Sequence, residues 1–144
     1  MEKVTIYAST LDRHEIDYDF IKNFKVLVIE GVTELTIPII QNLQNQIVHF
    51  QLYLNDFLQN PDFIVLIKNW VAKSKPIGSC FTFLCFEDES GLITILNRVR
   101  DQIEGAVAGD KCVNIPMSNS TVLKVSYEEC TEIKSLIKMT VVPL

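Results

Sequence analysis

The chain has 144 residues, of which 48% are hydrophobic, and it carries a formal net charge of −5. This length suits a single domain, and a chain this apolar is not disordered as a whole. Because its 13 Lys and Arg residues are spread out and form no basic stripe, we expect neither nucleic acid nor an anionic membrane surface as a partner.

The cellular compartment of the protein is indicated by targeting and cysteine motifs that the sequence lacks. No secretory signal opens the chain, and no segment reaches the roughly 18 consecutive apolar residues of a membrane span. The four cysteines form no C-x-x-C pair: Cys80, Cys85, Cys112 and Cys130. We therefore expect reduced thiols, no metal site and a cytoplasmic location.

A repeat organises the first third of the chain. An apolar residue followed by apolar positions three and five residues later occurs at Met1, Phe24 and Ile47, at intervals of 23 residues. The pattern is similar to the leucine-rich repeat L-x-x-L-x-L-x-x-N, whose period is about 20–29 residues. Each copy predicts a strand, and the predicted strands are residues 4–7, 25–30 and 49–54. The segments 16–23 and 37–46 between them are predicted to be helical.

Further elements follow the repeat. Asn60, Pro61 and Asp62 predict a helix start, and that helix is predicted to run to about residue 75 with Trp70 in its buried stripe. A strand is predicted over residues 80–86. The remaining predictions are a helix over 91–105 capped by Ser90, a β-hairpin from 111–116 and 121–127, and a last strand over 136–142.

Together these elements predict an α/β fold. Leucine-rich-repeat-like strand–helix units would form a mainly parallel sheet, followed by a C-terminal β-hairpin with a last strand. We expect one domain over residues 1–144, with strand–helix repeats in 1–107 and a β-rich part in 108–144.

The sequence contains no residue constellation typical of an enzyme. The chain has only two histidines, His14 and His49, and five glycines, and it lacks the G-x-S-x-G, H-E-x-x-H and phosphate-loop motifs. His14 is expected at the surface, and His49 in packing or hydrogen bonding. We expect no catalytic residues and no cofactor, although a small enzyme of unfamiliar type remains an alternative.

The more polar side of the repeat strands is the candidate contact surface. In solenoid proteins, such strand faces are binding surfaces. If the repeat register is correct, one face of the sheet carries the following candidate protein-contact residues: Thr5, Tyr7, His49, Gln51 and Tyr53.

Residues 24–86 resemble the F-box-associated C-terminal regions of the expanded nematode F-box families. The resemblance is carried by residues 24–30, by the repeat at 47–55, and by residues 63–70, which end in Trp70. It implies a leucine-rich-repeat-like domain that recruits substrate proteins to a cullin-based ubiquitin ligase. No F-box is found within the chain, so we expect a fragment, a truncated paralogue or a decoy.

Besides the enzyme alternative, two functions remain open. The first is a non-catalytic protein-interaction module, similar to the substrate-recognition region of an F-box protein, whose partner is a substrate or an adaptor. The second is a self-associating structural module that forms homo-oligomers through its first strand, which carries Val4, Ile6 and Tyr7.

Overall fold

The structure, a computed structural model, describes residues 3–7, 18–30, 40–41, 43–51, 55–117, 120–131 and 134–144. The described strands are β1 (Lys3–Tyr7), β2 (Val26–Glu30), β3 (Ile47–Gln51), β4 (Cys80–Cys85), β5 (Val107–Gly109), β6 (Cys112–Met117), β7 (Thr121–Glu129) and β8 (Ser135–Pro143). The described helices are α1 (Tyr18–Ile21), α2 (Asn55–Gln59), α3 (Pro61–Lys73) and α4 (Glu89–Gln102).

All eight described strands belong to one sheet, in the order β1-β2-β3-β4-β8-β7-β6-β5. The first four strands are adjacent and parallel, and the repeat predicted this arrangement for β1, β2 and β3. The remaining pairs are antiparallel. The sheet is therefore mixed rather than mainly parallel, because β8 pairs with β4 and joins the C-terminal hairpins to the parallel half.

The strict 23-residue period holds for one step only. Val4 pairs with Leu27, which is an offset of 23 residues, but Leu27 pairs with Val48, an offset of 21. The prediction that Phe50 aligns with Leu27 was wrong by two residues. Side chains alternate between the two faces of a strand, so a shift of two leaves every residue on its predicted face.

Helix α3 begins and ends as its sequence predicts. The Asn60 side chain accepts a hydrogen bond from the backbone N–H of Asp62 at 2.6 Å, and Pro61 opens the first turn. The helix ends at Ser74, which adopts a left-handed conformation with φ of 48° and donates its backbone N–H to the carbonyls of Trp70 and Val71. Trp70 is buried in the core, as predicted, against the ring of Phe81.

Helix α4 starts earlier than predicted. Asp88, not Ser90, is the capping residue, and its side chain accepts a hydrogen bond from the backbone N–H of Gly91 at 2.8 Å. A carboxylate at this position accepts a hydrogen bond from a backbone N–H that has no partner within the helix. Its negative charge also interacts favourably with the positive end of the helix dipole. The short helix α2 and the short edge strand β5 were not predicted.

Two earlier helix predictions are corrected in length. The helix predicted over residues 16–23 is described only at Tyr18–Ile21, and Asn23 lies in the turn after it. The segment predicted as a helix over 37–46 is helical at Ile40 and Gln41, but residues 43–46 are not helical. Residues 31–39 and 42 lie outside the described residues.

The helices and one face of the sheet enclose one hydrophobic core. Leu27, Val48 and Phe81 follow one another across β2, β3 and β4, and they belong to the same buried cluster as the apolar stripes of α3 and α4. The rings of Phe50 and Phe83 stack at its centre with centroids 4.9 Å apart. All four described helices contribute to the core, so they lie on the same side of the sheet.

Candidate functional site

The side of the sheet away from the helices is a continuous surface over its central strands. We call it the open face and define it by the side chains of β3, β4, β8 and β7 that point away from the core. Each of them is half-buried or exposed. They are Ile47, His49, Gln51, Cys80, Thr82, Leu84, Leu136, Lys138, Thr140, Val142, Val122, Lys124, Ser126 and Glu128.

The structure brings most of the predicted contact residues to one side of the sheet. Thr5, Val28 and His49 are paired in succession across β1, β2 and β3 and form one row. Tyr7, Glu30 and Gln51 are paired in the same way and form a second row. Tyr53 lies outside the described residues. The row through Thr5 is interrupted at β2, because Val28 is only 3% exposed. Thr5 is exposed but is separated by Val28 from the continuous accessible surface, which is the open face from β3 towards β7.

A groove of about 470 Å³ crosses the open face. Leu84 and Leu136, which pair across β4 and β8, form its apolar floor. The polar rim comes from His49, Gln51, Thr82 and Lys134. An apolar floor with a few polar groups at the rim is the usual composition of a binding groove.

His49 and Thr82 form the polar contact at the centre of this groove. Nδ1 of His49 lies 2.7 Å from Oγ1 of Thr82, so the predicted hydrogen-bonding role of His49 is confirmed. Burial lowers the pKa of His49 below its ordinary value of 6.5, and the positive charges of Lys3 and Lys138 lower it further. The imidazole is therefore neutral at physiological pH and available as a hydrogen-bond partner rather than as a cation.

The open face is positively charged although the chain is acidic. Lys124 and Lys138 point from β7 and β8, and Lys134 lines the groove. Glu128 is the one acidic side chain among the described residues of the open face. The described ion pairs lie elsewhere, at Lys22–Asp19 and Arg100–Asp101.

The cysteines are distributed as the strand pattern predicts. Cys80 lies on the open face and Cys85 lies in the core, on opposite sides of β4. All four thiols are free, and Cys130 is exposed. Burial, the charge of Glu87 and the nearby Cys130 raise the pKa of Cys85 to about 11, against a hydrogen bond with the Glu87 backbone that lowers it.

The described residues contain neither a candidate metal site nor a candidate membrane-spanning helix. No group of three or more His, Cys, Asp or Glu side chains is placed there to hold an ion. None of the helices in the described part of the chain has the length and apolar character that a bilayer crossing requires. His14, Asp12, Glu15 and Asp17 lie outside the described residues.

Residues 3–87 match the family described as Domain of unknown function (DUF3557), and the match covers more than half of the 144 residues. The chain belongs to this family. Neither the curated proteins nor the solved structures contain a significant match. The family description names no F-box-associated domain.

The DUF3557 region holds β1 to β4 and ends two residues after β4. The groove therefore has two origins: His49, Gln51, Thr82 and Leu84 come from the DUF3557 region, whereas Lys134 and Leu136 come from the C-terminal part. Sequence reasoning found the first two of these residues by strand alternation. It missed Leu84 and Leu136, because nothing in the local pattern shows that β8 pairs with β4.

Proposed function

We propose that the chain is a non-catalytic protein-binding module and that it binds its partner on the open face. The observation that carries this proposal is the groove over Leu84 and Leu136, which no described helix covers. Aliphatic side chains at its floor and hydrogen-bonding groups at its rim are the combination found at the centre and edge of protein interfaces.

The finer part of the proposal is a role similar to the substrate-recognition region of an F-box protein in a ubiquitin ligase. It is supported by the resemblance of residues 24–86 and by the arrangement of the first four strands. These strands are parallel and adjacent in chain order, with the described helices on one side, and leucine-rich repeats share that arrangement.

Asn45 supports the repeat-like interpretation from within the core. It lies before β3 and is 6% exposed, and its side-chain amide donates to the backbone carbonyls of Ile21 and Phe24 in the preceding strand–helix unit. A buried asparagine that joins one unit to the unit before it fits a stack of similar units.

The proposed function is tested with the full chain by affinity purification from a lysate, using paired variants. Leu84→Glu places a charge in the groove, whereas Val65→Glu places the same charge on α3, where Val65 is 44% exposed on the helical side. We expect protein partners that are retained by Val65→Glu and lost with Leu84→Glu. Partners that bind both variants equally would place the interaction elsewhere and refute the proposal.

The ubiquitin-ligase role needs a separate experiment. The full chain is fused to an F-box, and ubiquitination of a partner recovered in the first experiment is measured in cells. We expect ubiquitination with the fusion and none with the same fusion carrying Leu84→Glu. A partner that binds the fusion but is not ubiquitinated would count against the ligase role and leave the binding role intact.

A second candidate function is self-association, favoured by the position of β1 at one end of the sheet. A terminal strand presents backbone groups that a second copy can pair with. Size-exclusion chromatography with light scattering distinguishes the two functions. A stable dimer at low micromolar concentration favours self-association, and a monomer favours recognition of a different partner.

A further inference from the structure

We propose that the open face accepts an extended acidic segment of a partner protein. An aliphatic side chain of the segment would enter the groove over Leu84 and Leu136, and its carboxylates would lie at Lys124 and Lys138. This inference rests on the proposed function and specifies the chemistry of the partner.

The separation of charge is the first argument. The chain has a net charge of −5, yet Lys124 and Lys138 lie on the open face and Lys134 lines its groove, while Glu128 is the one acidic side chain among the described residues of the open face. On the same side of the sheet, Glu30 lies further away, on β2. None of the three lysines forms an ion pair with another described residue. A surface that concentrates cations on an acidic protein attracts the anionic groups of a partner.

The positions of two lysines give the second argument. Lys124 pairs with Thr140 and Lys138 pairs with Ser126, so the two lysines are diagonal neighbours on adjacent antiparallel strands. Diagonal positions are roughly 7–8 Å apart, and like charges at this distance repel. A carboxylate placed between them relieves that repulsion. The neighbouring Ser126 has a hydroxyl that can donate to the same anion.

The dimensions agree with a short extended segment. Three strand spacings separate β3 from β7, which is about 14 Å at roughly 4.8 Å per spacing. An extended chain of about five residues covers that distance at roughly 3.3 Å per residue. Such a segment reaches from the β3 side of the groove, at His49, to Lys124 on β7.

The experiment is a selection of random peptides about a dozen residues long, displayed on phage, against the immobilised full chain. We expect the enriched peptides to combine Asp or Glu with one or two aliphatic residues. The affinity of the strongest synthetic peptide is then measured by fluorescence anisotropy. We expect at least about a tenfold loss when the salt concentration rises from about 0.05 M to about 0.5 M, because salt screens the lysine contacts.

Matched variants assign the binding to the open face. Lys124→Glu/Lys138→Glu is expected to weaken peptide binding by at least about a hundredfold, since each reversal replaces an attraction with a repulsion. Lys68→Glu/Lys73→Glu makes the same change of charge on α3 and is expected to leave binding within about twofold. Circular dichroism checks that both variants fold. If Lys124→Glu/Lys138→Glu does not fold, Lys124→Gln/Lys138→Gln replaces it. The peptide affinity of this second variant is expected to fall at least about tenfold.

Several results would overturn the proposal. They are enrichment of neutral or basic peptides, no enrichment, equal loss of binding in the two double variants, and equal competition by single-stranded RNA or by vesicles containing phosphatidylserine. If a protein partner still depends on Leu84 while no acidic peptide is selected, the proposed function stands and only the acidic partner is wrong. If no protein partner depends on Leu84 and no acidic peptide is selected, both proposals fail.

Discussion

Nδ2 of Asn45 lies 2.6 Å from the backbone carbonyl oxygen of Phe24, and it also donates to the carbonyl of Ile21 at 2.8 Å. Both acceptors lie in the segment before β2. The Asn45 side chain therefore joins the turn before β3 to the segment before β2. Oδ1 of Asn45 is buried and has no hydrogen-bond partner among the described residues. The amide therefore stabilises the stacking of units through its NH2 group alone.

Replacing Asn45 tests this role. We expect Asn45→Ala to lower the free energy of unfolding by about 2 kcal/mol, because two carbonyls lose their donor while the unpaired Oδ1 is also removed. Asn45→Asp should cost more, since a carboxylate would face two carbonyl oxygens. Asn23→Ala is the control, because Asn23 makes two similar hydrogen bonds at an exposed site. Urea denaturation should show a loss below about 1 kcal/mol for this control, and equal losses at both sites would contradict the role.

The cap of α4 gives a second prediction. It distinguishes the capping residue seen in the structure, Asp88, from the one that the sequence pattern predicts, Ser90. Asp88→Ala should lower the free energy of unfolding by about 1 kcal/mol, because the backbone N–H of Gly91 loses its acceptor. Ser90→Ala should cost less than about 0.5 kcal/mol. Thermal unfolding followed by circular dichroism measures both. A larger effect at Ser90 than at Asp88 would show that the helix begins where the sequence pattern places it.

A third prediction concerns pH. The pKa of His49 is lowered by burial and by Lys3 and Lys138, so the unfolded chain binds this proton more tightly than the folded one. Stability should therefore fall as the pH drops through 6.5, the ordinary value, and stop falling below the folded pKa. His49→Gln should remove this part of the pH dependence, measured by urea denaturation between about pH 8 and pH 5.

The same histidine reports on the charge of the open face. Lys138→Met should raise the pKa of His49 measured by NMR, because one of the positive charges that lower it is removed. Lys68→Met, on the opposite side of the sheet, should leave it unchanged. A His49 pKa that does not respond to Lys138 would argue against a shared electrostatic surface.

Thiol reactivity supplies a fourth prediction. Cys130 is exposed and Cys85 is buried with a pKa of about 11. At pH 8 only about one Cys85 thiol in a thousand is ionised. An alkylating reagent should therefore modify Cys130 first in the native protein, as mass spectrometry of peptides would show. Cys130→Ser should remove the fast alkylation. If Cys85 were instead alkylated as fast as Cys130, β4 would have to open readily.

The sequence supports a large part of the fold because local signals are strong in the first half. Alternation within β3 correctly placed Phe50 in the core and His49 on the other side. Apolar spacing and capping residues located α3 with errors of at most two residues. The repeat predicted that β1, β2 and β3 are adjacent and parallel, and this is confirmed; β4 extends the same parallel arrangement. These features depend on neighbours in sequence, which a pattern records directly.

The remaining features depend on distant residues. The pairing of Leu27 with Val48 departs by two residues from the fixed interval of 23, and a search for a fixed interval does not detect such a change of register. The pairing of Leu84 with Leu136 joins residues 52 positions apart, and no local pattern encodes it. The part of the groove that β4 and the C-terminal segment form was therefore missed, while the part that lies on β3 was found.

The position of β8 has a consequence for how the molecule forms during synthesis. This strand lies between β4 and β7, so β4 keeps an unsatisfied hydrogen-bonding edge until residues 135–143 emerge from the ribosome. A nascent chain that pauses after residue 87 exposes a phenylalanine-rich strand that other nascent chains can pair with. We therefore expect the DUF3557 region, produced alone, to aggregate in the cell unless a chaperone protects it.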